Sequence, residues 1–284
     1  MNSKDKLDAE FQKYLRQPPE QWSLAEGTLL IARQEYPRLD ASKTLAWLEE
    51  MGKEAGKRLK GCRTPKEKIS ALNAFFFGDL GFHGNEEDYY DPRNSYLPDV
   101  VERKAGIPIT LTALYLETAW RASFGLFGIN FPGHFLAAWK ESESDFRKNA
   151  YIDVFNGGLV LDEKGLQGLL DRFAGGENLD PARHLRNAGV REILHRVLAN
   201  LKALHASLEK FDRALWAAEW MISLKPDDFA SLRDKGMFLF SLGRLEAAEQ
   251  ALMKYLEATK RPEDYATVWR VLYSIKAQNP VRLN

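Results

Sequence analysis

Residues 106–120 read GIPITLTALYLETAW, residues 129–139 read INFPGHFLAAW, and residues 151–155 read YIDVF. The first segment predicts a helix from near Pro108 to about Arg121. The second and third have the aromatic and β-branched character of strands, one carrying His134 and the other Asp153. A histidine and an aspartate on neighbouring strands, facing a helix N-terminus, are two members of a Cys-His-Asp catalytic group. The third member decides the function. The helix start, Ile107-Pro108-Ile109-Thr110, contains no cysteine.

The pair is argued from its surroundings. His134 follows Pro132-Gly133, and strand alternation from there places His134, Leu136 and Ala138 on one face. A histidine in such a position can serve as a local hydrogen-bonding residue. Asp153 lies between Ile152 and Val154, and a carboxylate pointing inward from an apolar strand needs a partner. His134 is the natural one, because an aspartate accepting from an imidazole fixes its tautomer and orientation.

Outward from this region, the first 85 residues read as three helices plus a short one around residues 5–15. Ser23-Leu24-Ala25-Glu26 and Thr64-Pro65-Lys66-Glu67 match the capping box, in which hydroxyl and carboxylate satisfy free backbone donors at a helix start. Residues 84–99, GNEEDYYDPRNSYLPD, form a loop rich in turn residues. The short helix that follows it is expected to close at Gly106. Strands are expected at about 124–131, 134–140 and 150–155, with a tight turn at Asn156-Gly157-Gly158 and a helix capped by Asp162 running to about Phe173. Asp180-Pro181 begins a helical run that continues almost to the end.

That run contains a repeat. Ser207–Ala214 (SLEKFDRA) and Ser241–Ala248 (SLGRLEAA) align at an offset of 34 residues, and Leu204 and Phe238 share it. This is the tetratricopeptide period, with Ala214 and Ala248 small where paired helices approach. Two units are fewer than a free-standing stack needs, so they are expected to lean on the preceding domain or on a helix at 189–206.

Composition bounds the partners. Forty basic and forty acidic residues cancel, and no block of like charge suggests DNA, RNA or an anionic membrane. The apolar stretch 124–139 is broken by glycines, a proline and His134, so no membrane span is expected. The N-terminus lacks the apolar core of a signal peptide, which points to the cytoplasm. The single cysteine, Cys62, sits between two predicted helices, where Arg63 and the next helix start could lower its pKa. No Cys/His spacing suggests zinc, and no metal or cofactor is expected.

The segments YYDPRNSYLPDVVERKAGIPITLTALYLETAW, FPGHFLAAW and YIDVFNGG resemble the transglutaminase-like core of a bacterial family with tetratricopeptide repeats behind it, the Sir-B type invasion-regulator proteins. The likeness spans roughly residues 25–260. It implies an α+β fold, mostly helical: a papain-related core with a small antiparallel sheet over 1–178, then an all-α repeat region over 179–284. It matches His134 and Asp153 to the family's catalytic histidine and aspartate, and Asp91, Asn94, Ser95 and Arg103 to polar positions of its signature. Tyr90, with Tyr89 and Tyr96, adds aromatic surface suited to recognition. Active relatives open the helix with Gly-x-Cys; here Gly106-Ile107-Pro108 puts Pro108 in the nucleophile's place. Thr110 is the nearest hydroxyl, but threonine needs an arranged base to act as a nucleophile.

Three functions remain open at this level. The first is a degenerate, regulatory binding module that takes a protein or peptide through the repeats and the His134 groove, with Tyr90, Asp91, Asn94, Ser95, Arg103 and Pro108 as binding residues. The second is a hydrolase or acyl-transferase using His134 and Asp153 with water, Thr110 or an untypical thiol. The third is a small-ligand or metal pocket around His134, Asp153 and the loop acids, for which one histidine is a weak donor set.

Overall fold

The computed structural model describes residues 3–260 and 262–278. Two compact units divide the chain, 1–197 and 198–284, with the boundary falling inside one helix.

The first unit begins with α1 (Ser3–Leu15), α2 (Leu24–Glu35), α3 (Ala41–Leu59) and α4 (Pro65–Asn73). Capping chemistry sets these starts. Ser23 accepts from the Glu26 N–H at 3.2 Å. Thr64 and Glu67 complete the reciprocal box, the hydroxyl accepting at 3.2 Å and the carboxylate accepting from the Thr64 N–H at 3.3 Å. A π-helical turn, Ala74–Asp79, extends α4.

The loop 85–96 sits between β1 (His83–Gly84) and α5 (Leu97–Arg103), followed by β2 (Ala105–Gly106), which pairs with β1 in parallel. Closure of α5 departs from expectation. Lys104, not Gly106, takes the left-handed conformation at φ 60°, and Gly106 is drawn into strand pairing.

Next comes α6 (Pro108–Arg121), with the bounds the sequence predicts. Pro108 through Ala119 are all buried, which is why the segment is apolar around its whole circumference. Helix α6 packs against α3 and against the strands β3 (Phe127–Ile129) and β4 (Leu136–Trp139). These continue into β5 (Ala150–Asp153) and β6 (Leu159–Leu161). Then follow α7 (Glu163–Phe173), α8 (Pro181–His184), β7 (Asn187–Ala188) and α9 (Val190–Ser207).

The antiparallel sheet has the order β6-β5-β4-β3-β7. Its strands are shorter than the expected runs, and β6 and β7 were not anticipated: at two or three residues they carry no periodicity. Helix α7 covers Ile129, Leu136, Tyr151 and Leu161 with Leu166 and Leu170. Asp162 caps α7 as expected, accepting from the Gly165 N–H at 2.8 Å.

The second unit contains the end of α9, then α10 (Phe211–Leu224), α11 (Phe229–Ser241), α12 (Leu245–Thr259) and α13 (Tyr265–Gln278). Ala214 and Ala248 are fully buried. Leu239, Ala251, Leu252, Leu272 and Ile275 supply its apolar core. Lys202 of α9 donates to Ser231 at 3.1 Å and Asp234 at 2.6 Å on α11.

Candidate functional site

Pro108 occupies the first helical position of α6, where a missing N–H costs nothing. Two residues on, the Thr110 hydroxyl accepts from the Ile107 N–H at 3.2 Å and donates to the Asn94 carbonyl at 2.6 Å. Thr110 is buried, and its hydroxyl ties the start of α6 to the preceding loop.

Asn94 is the centre of that loop. Its amide donates to the carbonyls of Asp88 at 2.7 Å and Tyr89 at 3.2 Å, and its side-chain oxygen accepts from Asn85 at 3.0 Å and Arg103 at 3.3 Å. Asp91, also buried, accepts from the backbone and guanidinium of Arg93 and pairs with Arg103 at 3.1 Å. Burial pushes the Asp91 carboxyl up, but these bonds and charges outweigh it and hold it below the ordinary carboxylate value. Ser95 is buried in the same turn, and Tyr90 lies on the surface, 77% exposed.

His134 stands in a turn, not on a strand: its N–H bonds the Phe131 carbonyl at 3.1 Å, and β4 begins two residues later. Pro132-Gly133 makes the turn, so strand alternation does not reach back to His134. Gly133 has φ +64°, and a Cβ there would come within 2.5 Å of the Phe173 Cβ. Glycine thus permits both the turn and the approach of Phe173, whose ring stacks on the imidazole with centroids 5.8 Å apart and planes 8° apart. Phe155 meets the imidazole edge-on at 6.2 Å.

The imidazole Nε2 lies 2.8 Å from Asp153 Oδ1, and both residues are buried. The carboxylate can only accept, so Nε2 carries the proton. Asp153 also accepts from the Asn156 backbone at 3.2 Å and its amide at 2.7 Å. Burial raises the affinity of Asp153 for a proton, yet the His134 bond and charge, with the Asn156 bonds, bring it below its ordinary value. The carboxylate therefore stays ionised at neutral pH. The other imidazole nitrogen, Nδ1, has no protein partner among the described residues and is not sealed off.

His134 lines a cleft of about 250 Å³. Tyr89 and Phe155 wall it, α7 contributes Leu169, Arg172 and Phe173, and Pro108, Glu86 and Asn156 complete the lining. No serine, threonine or cysteine lines it. Larger hollows of about 760 and 500 Å³ flank β5 and β6 and contain no histidine. Among the described residues no group of three or more His, Cys, Asp or Glu could hold a metal ion. Among the described residues no helix is long and apolar enough to cross a membrane.

Of the residues singled out from sequence, His134, Asp153 and Pro108 come together at the cleft. Asp91, Asn94, Arg103 and Thr110 form a hydrogen-bonded network outside its lining, and the exposed Tyr90 packs edge-on against Tyr89 of the wall, with ring centroids 5.3 Å apart. Cys62 is bonded to the Arg58 carbonyl at 3.7 Å and does not line the cleft. Phe155, Asn156, Arg172 and Phe173 were not anticipated. Asn156 was legible as a turn residue beside Asp153, but nothing in the α7 sequence marks Phe173 as the partner of His134.

A helix packed against a small antiparallel sheet, with a bonded His134–Asp153 pair beside its start and helical repeats following, defines a transglutaminase-like protein with tetratricopeptide repeats. The family model described as the transglutaminase-like superfamily matches residues 42–199, and the chain belongs to that family. A tetratricopeptide repeat model matches residues 201–272. Over 237 residues the chain is 36% identical to a UPF0162 protein of Xylella fastidiosa, covering 82% of this chain and 83% of that one. Over 232 residues it is 30% identical to a UPF0162 protein of Vibrio cholerae, again covering 82% and 83%. It is also 30% identical over 183 residues to F-box only protein 21 of Mus musculus, covering 62% of this chain and 28% of that one. No solved structure matches the chain.

Proposed function

We propose that this chain is a catalytically degenerate transglutaminase-like protein. It acts as a regulatory module in the cytoplasm, binding a protein or peptide through the His134 cleft and the helical repeats. Tetratricopeptide repeats generally mediate protein–protein interaction, and the matched repeat supports that part of the reading. The observation that carries the rest is Pro108. It lines the cleft beside His134, at the helix start where the chemistry requires a thiolate. Thr110 does not replace it, since its hydroxyl is buried and bonded to Asn94 and Ile107. In this reading Asp91, Asn94, Ser95 and Arg103 shape the loop that presents Tyr89, and do not touch ligand.

One observation favours a second reading, a hydrolase that uses water. The His134–Asp153 pair is intact, and Nδ1 is open as a base. The two readings separate in a turnover assay. Purified protein is expected to release no product from p-nitrophenyl acetate or from peptide amides beyond the rate of a His134→Ala variant; turnover abolished by that variant would overturn the binding-module reading. Restoring the thiol probes the same geometry. In a Cys62→Ser background, Pro108→Cys is expected to react with iodoacetamide near pH 6.5 about tenfold or more faster than an ordinary thiol, and to slow when His134 is also replaced.

A further inference from the structure

Among the described residues two arginines, one lining the cleft and one near its wall, have no acidic partner. Arg172 lines the cleft directly, its guanidinium carbon 5.3 Å from the centre of the Phe173 ring. Arg196 stands outside the lining: from α9 it donates to the Asn130 amide oxygen at 3.1 Å, just before the turn that carries His134, and it feels Tyr89 of the cleft wall electrostatically. Burial pulls the Arg196 guanidinium below its ordinary value, offset in part only by the Tyr89 phenol. A half-buried guanidinium bonded to one neutral oxygen keeps donors in reserve, and its desolvation is compensated only when an anion arrives. Glu86 is the one carboxylate side chain lining the cleft; it is exposed and pairs with neither arginine.

The remaining chemistry narrows the anion. In the neutral imidazole, with the proton on Nε2, Nδ1 is an acceptor, and a ligand that brings a donor close to its negative charge can use it. A peptide carboxylate meets both demands, offering two oxygens to a guanidinium fork and a neighbouring backbone N–H to the imidazole. The rings of Tyr89, Phe155 and Phe173 flank the apolar remainder. We infer that the His134 cleft is a carboxylate-recognition site for a peptide, with Arg172 and Arg196 as the anion receptors and Nδ1 as acceptor of the adjacent N–H. This rests on the binding-module reading and names its ligand class.

The test is a nuclear magnetic resonance titration of the full-length protein, following the His134 imidazole. Three probes are compared: N-acetylalanine (a terminal carboxylate), N-acetylglutamate α-N-methylamide (a side-chain carboxylate) and N-acetylglutamine N-methylamide (neither). At least one carboxylate probe is expected to bind saturably, about tenfold or more tighter than the uncharged amide, and which one binds identifies the source of the carboxylate. Arg172→Gln, on an exposed residue, and Arg196→Lys, which keeps the charge but loses the fork, are each expected to weaken it. The idea is overturned if no probe binds, if the uncharged amide binds as tightly, or if binding is unchanged in an Arg172→Gln/Arg196→Gln variant that keeps the Nε2 proton resonance. None of these results bears on turnover, whose appearance would instead overturn the binding-module reading.

Discussion

At Asp153 two opposing effects act on one carboxyl group. Removal from water favours the neutral acid, while three hydrogen bonds and the imidazole favour the anion and prevail. Because the folded-state pKa is depressed, the associated stability is complete above the ordinary carboxylate value and is lost as pH falls through the folded value. Stability of the native protein attributable to this group should therefore decline only below about pH 4. Asp153→Asn removes the charge but keeps the shape. It is expected to cost about 2–4 kcal/mol at pH 7 and to remove this share of the acid sensitivity, as checked by urea unfolding from pH 3 to 7. The partnership itself was legible: a carboxylate inside an apolar strand had one plausible imidazole within reach. The stacking of Phe173 was not, because 39 residues separate it from His134 and only the missing Cβ of Gly133 admits it.

Among the elements, α6 joins the two halves of the first unit. Its Glu117 is buried and accepts from the Ala25 N–H at 2.6 Å, closing the start of α2, while pairing with Arg121 one turn on. Burial raises this carboxyl above its ordinary value, and Arg121 and the Ala25 bond offset only part of the effect. Glu117→Ala leaves the α2 donor unmatched and Arg121 with Glu49 as its remaining carboxylate partner. An expected loss of about 3 kcal/mol should appear in thermal unfolding, with Glu117→Gln, which keeps an acceptor for Ala25, losing less. The bounds of α6 were readable because proline at its start and an unbroken apolar run leave few alternatives. Short strands such as β6 and β7 were not, since two or three residues exist as strand only through the neighbours they pair with.

At the scale of the molecule, each unit has its own core, and the second depends on close helix approach. A Cβ at Gly236 on α11 would lie 2.6 Å from Leu252 Cγ on α12. Gly236→Val is therefore expected to destabilise the repeat by about 1–3 kcal/mol or more through overpacking. Backbone amide spectra should show the change in α11 and α12, and the His134 and Asp153 signals should remain in place. A spectrum in which α11 and α12 are unaffected would contradict the packing described.

The sequence by itself determined the class of fold, the long helices, the 34-residue repeat, the His134–Asp153 partnership and the proline at the head of α6. These are written in periodicity, capping residues and local composition, which act over a few turns of chain. Tertiary structure alone decided which polar residues face the cleft. Asp91, Asn94 and Arg103 spend hydrogen bonds on each other and on the loop backbone, whereas Arg172 and Phe173 carry no local signal and arrive in the cleft lining from α7. The physical reason is that a hydrogen-bond donor is neutral information until the fold assigns its partner.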